Sequence, residues 1–198
     1  MAATTRSRFH VPGMTAKDSD KTAQILQERL VALIDLGLTL KHVHWNVVGP
    51  AFIGVHKMLD PQVEAVQLMV DATAERISTL GASPNGLAGN IVKSRSWDDY
   101  AIGRASTQAH LGALDMAYGG VVEGHREAIE KTETIDPVTQ DLLIDQSGEL
   151  EQFHWFVRAH LETPDGVLVT EGAKSETSAA KMASSKTANG RTRAARSR

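Results

Sequence analysis

The 198-residue chain contains no cysteine, which excludes disulfide bonds and thiolate metal sites. A tightly bound metal would therefore need His, Asp, Glu or backbone oxygen as its ligands. The segment from Met1 to Thr15 also lacks an apolar stretch like that of a signal sequence, so we expect a cytoplasmic protein without a membrane segment. Internal repeats and convincing strands are absent too, which favours an all-α fold.

Apolar residues in the first long segment recur in alternating three- and four-residue steps, a pattern that indicates one face of a helix. We expect this helix from about Lys17 to Asn46 and a second from about Ile53 to Leu80. Pro61 should either kink the second helix or begin it with Asp60 as its cap. The first apolar face consists of Leu26, Leu30, Leu33, Gly37, Leu40 and His44.

Two more long helices are expected, from about Arg104 to Glu133 and from Asp136 to about Leu161. In the last of these, Asp136 would be the N-cap and Pro137 would lie in the first turn. A short helix is expected at Ser96–Tyr100, in the connection between helices two and three. Four helices of similar length predict an all-α four-helix bundle.

The C-terminal part of the chain has a different composition. From Gly172 onward it is mostly Ala, Ser, Thr, Lys and Arg, which cannot offset the entropy of ordering by burial. Residues 171–198 carry 7 basic and 2 acidic groups, which leaves 14 basic and 22 acidic groups on residues 1–170. We predict an N-terminal extension at 1–16, the helical bundle at 17–162 and a flexible basic tail at 163–198.

A polar stripe of helix two contains the residues that carry chemistry. His56, Asp60, Asp71 and Glu75 fall on one face when each residue turns the helix by about 100°. Imidazole and carboxylate together suit non-haem iron. A polar helix face in a charged protein is the alternative interpretation. The spacing limits how a metal site could form. His56 and Glu75 are 19 residues apart, about 28 Å along a helix, so one straight helix cannot bring both to one ion.

A second copy of the same helix would solve this problem of distance. If two copies cross antiparallel about a two-fold axis between residues 65 and 66, position 56 meets 75 and position 60 meets 71. Two equivalent sites then form, each with ligands from both chains. His44 continues the apolar face of helix one, where it is either a further ligand or a hydrogen-bonded core residue.

Three segments carry a family resemblance: His44-Trp45-Asn46, His56-Lys57-Met58-Leu59-Asp60 and Asp71-Ala72-Thr73-Ala74-Glu75-Arg76. They closely resemble the ferroxidase signature of the Dps family, the DNA-binding proteins from starved cells. All five ligand positions match in type and spacing, and the resemblance extends from about Phe9 to Glu162. Larger ferritin-like proteins use two Glu-x-x-His pairs. Here one such match stands out, Glu151-Gln152-Phe153-His154, so we expect His154 to be a structural or surface residue.

The resemblance implies a ferritin-like four-helix fold, a hollow dodecamer and oxidation of Fe(II), preferably by hydrogen peroxide, with the iron stored inside. It implies the metal ligands His44, His56, Asp60, Asp71 and Glu75, and a role for Trp45 in intercepting radicals. Acidic residues line three-fold channels in this family. Asp141, Asp145 and Glu149 are our candidates for the iron-access channel. Glu123, Glu127 and Glu130 form another acidic stripe, and Gly124 stands where the family pattern has an acidic residue.

The basic tail is either a solubilising extension or a DNA-binding segment, and many tails on one shell would bind phosphate together. We expect non-specific DNA binding and association with the nucleoid, with Arg6 and Arg8 as the candidates if the tail is not responsible. Two other functions stay open: a nucleoid structural protein without significant ferroxidase activity, and a general ferritin that uses oxygen and has no DNA role. The tail candidates are Lys181, Lys186, Arg191, Arg193, Arg196 and Arg198.

Overall fold

The computed structural model describes residues 11–185. The four expected long helices are present as α1 (Ala16–Asn46), α2 (Phe52–Thr79), α4 (Thr107–Thr132) and α5 (Pro137–Ala159), with a short α3 (Ala88–Ser94) between α2 and α4. The expectation of no strand was wrong in a small way. Residues Val47–Val48 (β1) and Ala105–Ser106 (β2) form a two-residue parallel pair.

Local sequence signals account for the helix ends. The backbone amide of Asp18 donates to Thr15 Oγ1 over 3.1 Å and Thr15 Oγ1 donates to the Asp18 carboxylate, so the expected capping pair begins α1. Helix α2 runs through Pro61, so Asp60 is not its cap. It ends at Thr79. Gly81 follows with a φ of +81, which suits glycine, and the amide of Ala82 donates to the carbonyl of Ile77 over 3.2 Å.

The chain forms two compact units, each with a segment of all four long helices. The first comprises residues up to Leu38, Val63–Asp98 and Val121–Glu149. Its core includes Leu26, Leu30, Ile77, Leu80 and Leu143, all essentially inaccessible to solvent. Burying each such side chain contributes about 2 kcal/mol. The apolar periodicity of the sequence therefore predicts the core correctly.

The second unit comprises Thr39–Gln62, Asp99–Gly120 and the chain from Leu150 onward. It contains the β1–β2 pair and the C-terminal ends of α1 and α5. Fully buried side chains again mark its interior: Leu40, Leu59, Leu111, Leu114 and Tyr118.

The short helix occurs in the expected connection but at other residues. It is α3 (Ala88–Ser94), whereas residues 96–100 are not helical. Ile91 gives α3 a buried apolar side chain, and the backbone leaves it in an extended conformation at Arg95. The Arg95 guanidinium lies 3.6 Å from the Asp35 carboxylate. An ion pair with α1 therefore occurs directly before the residues at which a capped helix had been expected.

The prediction of a flexible tail from residue 163 was wrong for its described part. Residues 176–185 are helical, and we call them the tail helix. Ser175 caps the tail helix, with its Oγ accepting from the amide of Ser178 over 3.2 Å. The residues buried on it are Ala179, Ala180 and Ala183. Small side chains had been interpreted as unable to form a packed surface, but here they let two backbones approach closely. Residues 186–198 lie outside the described part.

No helix in residues 11–185 is long and apolar enough to cross a membrane.

The contact between α4 and the tail helix depends on Gly112. A Cβ at this position would lie 2.7 Å from the carbonyl oxygen of Ala179, whereas at Gly120, also in α4, it would meet nothing within 4 Å. We expect Gly112→Ala to displace the tail helix, with an overpacking cost of about 1–3 kcal/mol. Hydrogen exchange of residues 176–185 measures this, and faster exchange is the expected result.

The matched control is Gly120→Ala, which should stabilise α4 by roughly 0.5–1 kcal/mol because alanine has the higher helix propensity. Its tail helix should exchange as in the unchanged protein. Equal protection of residues 176–185 in both variants would contradict the close contact at Gly112.

Candidate metal centre

Two histidines are held together where α1 ends and α2 begins. His44 Nδ1 lies 3.0 Å from the carbonyl oxygen of His56, and His56 Nδ1 lies 2.9 Å from the carbonyl oxygen of His44. Their rings stack with centroids 3.7 Å apart. Since a carbonyl can only accept, each Nδ1 carries the hydrogen and donates it. The Nε2 atom of each ring therefore keeps the lone pair that a metal needs.

A carboxylate completes the cluster from one turn farther along α2. Asp60 Oδ1 lies 3.3 Å from His44 Nδ1. His44, His56 and Asp60 each offer a ligand atom, and these atoms lie within 4.8 Å of one another. Among residues 11–185 this is the one group of His and acidic side chains with metal-binding spacing. Neutral imidazole with a hard oxygen donor suits iron.

Lys41 contacts this cluster and was missed in the sequence analysis. Its Nζ donates to Asp60 Oδ1 over 3.0 Å. That hydrogen bond, with the positive charge of Lys41, lowers the pKa of Asp60 below its ordinary value. The side chain of Asp60 is 43% exposed, so the ion pair is accessible to a competing cation. The sequence signal was the position of Lys41, one helical turn before His44.

The other two predicted ligands are not part of this cluster. Asp71 and Glu75 are exposed on α2, about three turns or more beyond Asp60. One chain therefore brings together three of the five predicted ligands. Trp45 follows His44 directly and is 71% exposed.

Comparison with known proteins identifies the family of the chain. Residues 23–167 match the family model of the ferritin-like domain. The chain is 56% identical to the DNA protection during starvation protein of Mycolicibacterium smegmatis, over 91% of this chain and 98% of the relative. The chain belongs to the Dps family of ferritin-like proteins.

Solved Dps structures are similar throughout the bundle. Mycobacterium smegmatis Dps superposes with a TM-score of 0.83 and 56% identity, covering 85% of this chain and 96% of that one. DpsA14 from Streptomyces coelicolor gives a TM-score of 0.81 and 56% identity, covering 84% and 99%. The all-α, ferritin-like four-helix fold with an extra short helix is thereby confirmed. Membership of this family implies iron binding.

The resemblance led us to expect an acidic residue at position 124, where the chain has Gly124 beside the half-buried Arg29. A Cβ at Gly124 would lie 1.8 Å from Nη1 of Arg29. The guanidinium therefore occupies the space that an acidic side chain would fill. Glu127 and Glu28 interact favourably with Arg29, although burial lowers its pKa.

The predicted channel and tail residues have different outcomes. Asp141, Asp145 and Glu149 are exposed along one face of α5, and the first two line an open surface concavity with Val138, Leu142 and Ile144. Their role in a channel stays a prediction. Lys181 is exposed on the tail helix. The remaining tail candidates lie outside the described residues: Lys186, Arg191, Arg193, Arg196 and Arg198.

His154 is a structural residue, as expected for a Dps protein without an intrachain centre. Its Nε2 lies 2.8 Å from Asp115 Oδ1, which also accepts from Arg158 Nε over 2.9 Å. Thr170 Oγ1 donates to the other carboxylate oxygen over 2.7 Å. Burial alone would raise the pKa of Asp115, but these three hydrogen bonds outweigh it and lower the pKa to about 2. The buried carboxylate thus holds the segment after α5 against the bundle.

We expect Asp115→Asn to lower the free energy of unfolding by about 2 kcal/mol, because hydrogen bonds to a charged group are lost. The ordinary Asp pKa of 3.8 applies in the unfolded chain, so the contribution of Asp115 is complete above that pH and disappears as pH falls toward 2. Thermal unfolding from pH 7 to pH 2 measures the difference. The difference in stability between the unchanged protein and Asp115→Asn should become smaller below pH 4. A difference that stays constant down to pH 2 would contradict this assignment.

Proposed function

We propose that the protein is a ferroxidase and iron store. It oxidises Fe(II) with hydrogen peroxide at sites shared between two chains, keeps the Fe(III) mineral in a hollow homo-oligomer, and binds DNA non-specifically. The observation that carries this proposal is the cluster of His44, His56 and Asp60, in which reciprocal Nδ1 hydrogen bonds leave both Nε2 atoms free for iron. Location in the cytoplasm on the nucleoid follows from the DNA role.

The exposed face of α2 supports a site completed by a second chain. Asp71 and Glu75 are exposed there. Leu68 is 72% exposed, which is unusual for leucine unless another surface covers it. It lies close in sequence to the two-fold axis that we place between residues 65 and 66. Crossing there, the partner's Asp71 and Glu75 would complete the half-site of His44, His56 and Asp60.

The ligand types account for the chemistry. Two Fe(II) ions and one hydrogen peroxide give two Fe(III) ions and two hydroxide ions. The two Fe(II) ions supply both electrons that the peroxide takes up, so no hydroxyl radical is released. Carboxylates offset the charge gained by iron, and neutral imidazoles leave room for the oxidant. To bind iron through Oδ1, Asp60 must give up its bond with Lys41. Trp45, exposed beside the site, would intercept stray radicals.

The acidic face of α5 and the basic tail supply the remaining functions. Asp141, Asp145 and Glu149 would attract cations toward the interior if three chains meet there. Docking of the tail helix leaves residues 186–198 as the main basic segment, with five Lys and Arg residues and no acidic one. Several such tails on one particle would bind the phosphate backbone without reading bases.

One observation favours a second candidate, a nucleoid structural DNA-binding protein without significant ferroxidase activity. The ammonium of Lys41 already pairs with Asp60, so the carboxylate is satisfied without a metal. Fe(II) oxidation by the assembled protein distinguishes the two functions.

Complementation tests the shared site. One variant carries His56→Ala and Asp60→Ala, the other Asp71→Ala and Glu75→Ala, and each alone should oxidise Fe(II) slowly because every site has lost ligands. Co-assembled chains form mixed dimers in which one of the two sites is intact. Stopped-flow Fe(II) oxidation by peroxide should recover in proportion to mixed dimers, up to half the sites in each.

The control is the unchanged protein, carried through the same dissociation and reassembly. Light scattering should give a mass near twelve chains for every sample, which confirms assembly. Mixed dimers that stay inactive would show that each chain forms its own site. An unchanged protein that does not oxidise Fe(II) would favour the structural alternative.

The DNA role is tested by deleting residues 186–198, which leaves the tail helix in place. DNA affinity should fall steeply, and the slope of log affinity against log salt should decrease by about 0.9 for each phosphate that the protein no longer neutralises. A matched chain of full length, with the five Lys and Arg residues changed to Gln, separates charge from length. Equal DNA binding by both variants and the unchanged protein would transfer the role to Arg6 and Arg8.

A further inference from the structure

We propose that Tyr100 and His110 form a redox pair, in which the half-buried phenol gives one electron to a strong oxidant formed at the iron site and passes its proton to the imidazole. The proposal rests on the proposed function for its oxidant, a hydroxyl radical from incomplete peroxide reduction. It assigns a second radical-handling residue besides Trp45, which is 71% exposed, in a position less exposed to solvent.

The contact between the two side chains supplies the proton path. Tyr100 Oη lies 3.0 Å from His110 Nδ1, and the two rings are nearly parallel, with an interplanar angle of 9° and centroids 6.1 Å apart. His110 is completely buried. Tyr100 packs with Ala109 and Ala113 of α4 and with Ala180 of the tail helix. A proton therefore has one short transfer to make, inside a packed environment.

Protonation states favour transfer in the required direction. Burial raises the pKa of the Tyr100 phenol, and Glu176 raises it further, so the phenol keeps its hydrogen at neutral pH. Burial lowers the pKa of His110, so its ring is neutral there. A neutral phenol donates to an imidazole nitrogen with a free lone pair. His110 Nδ1 is therefore the acceptor.

The backbone around His110 would stabilise the charge that arrives. The carbonyls of Asn46 and Gly103 both raise the pKa of this ring, against the effect of burial. Its Nε2 has no hydrogen-bond partner of ordinary geometry among residues 11–185. Because Nδ1 accepts from the phenol, Nε2 carries the hydrogen of the neutral ring, and this N–H becomes a stronger donor once the ring is an imidazolium.

The pair packs against the turn of α1 that carries a proposed metal ligand. The ring of His42 meets the ring of Tyr100 edge to face, with centroids 5.7 Å apart. The carbonyl of Asn46 acts on His110. His44 lies between these two positions, about 3 Å along the helix axis from each. Residues two apart point to nearly opposite sides of a helix, so electron transfer from Tyr100 to the iron site would cross the width of α1.

The chemistry balances in two steps. First, tyrosine, neutral histidine and hydroxyl radical give tyrosyl radical, imidazolium and hydroxide: tyrosine is oxidised by one electron, the radical is reduced, and the phenolic proton moves to His110 Nδ1. Second, a further Fe(II) ion reduces the tyrosyl radical, the proton returns to the phenol, and Fe(III) forms. Each cycle removes one hydroxyl radical with one Fe(II).

The chain contains its own matched control, because it has two tyrosines. Tyr118 is fully buried, and its hydroxyl donates to Gln62 Oε1 over 2.7 Å. An amide oxygen does not accept a proton at neutral pH, so oxidation of Tyr118 has no local base. The two phenols differ in this partner and in burial, since Tyr100 is half-buried.

The experiment uses the full-length assembled protein and two sources of oxidant. One arm adds Fe(II) and excess hydrogen peroxide, and the other is free of iron and uses a photo-oxidised ruthenium polypyridyl complex. Samples frozen during the reaction are examined by electron paramagnetic resonance, with ring-deuterated tyrosine to identify the radical. We expect a tyrosyl signal in both arms that is lost in Tyr100→Phe and in His110→Gln and kept in Tyr118→Phe.

Formation of the radical should also slow in deuterated water, a measurement on the unchanged protein that does not depend on whether His110→Gln folds. A signal that survives Tyr100→Phe, or a photochemical arm without a tyrosyl radical, would overturn the pair. Fe(II) oxidation without the radical would overturn its link to the iron site. If the photochemical arm succeeds and Fe(II) is not oxidised, the proposed function fails and the redox pair stands.

Discussion

The reciprocal hydrogen bonds between His44 and His56 are the constraint on which the site depends. Each ring donates from Nδ1 to the other residue's carbonyl, which joins the last turn of α1 to the first turns of α2. The same two bonds select the tautomer, because a hydrogen on Nδ1 leaves Nε2 free. The same pair of hydrogen bonds therefore connects the two helices and leaves both Nε2 atoms available to a metal. The short loop at Gly49-Pro50 is what allows these turns to meet.

Under the proposed function, this constraint also accounts for a site that one chain leaves incomplete. The histidines and Asp60 are gathered by a helix junction, whereas Asp71 and Glu75 follow on the straight, exposed remainder of α2. A rigid helix cannot fold back on itself, so carboxylates beyond the junction become useful only beside another chain. Assembly and catalysis would then be linked, since loss of the interface removes ligands without altering any of them.

Helical periodicity allowed the long helices and their buried faces to be predicted from sequence, because each relies on packing that repeats every three or four residues. Features that depend on one tertiary contact were not predictable in this way. Lys41 on Asp60 and Arg29 in the space beside Gly124 are of this kind. The tail helix was missed for a related reason: Ala179 and Ala183 provide little apolar area, and their fit against Gly112 exists only after α4 has formed.

The order of the tail helix alters how charge is arranged on the molecule. A flexible tail from residue 163 would spread its cations over a wide volume near an acidic body. Docking of residues 176–185 instead places Ala180 against Tyr100, six residues before the basic segment in the sequence. Under the proposed functions, oxidising chemistry would then lie near the segment that leads to the DNA-binding tail, and a half-buried reductant such as Tyr100 has its greatest value there. A radical held on Tyr100 would be partly shielded by packed side chains, whereas one formed at exposed Trp45 is in contact with solvent.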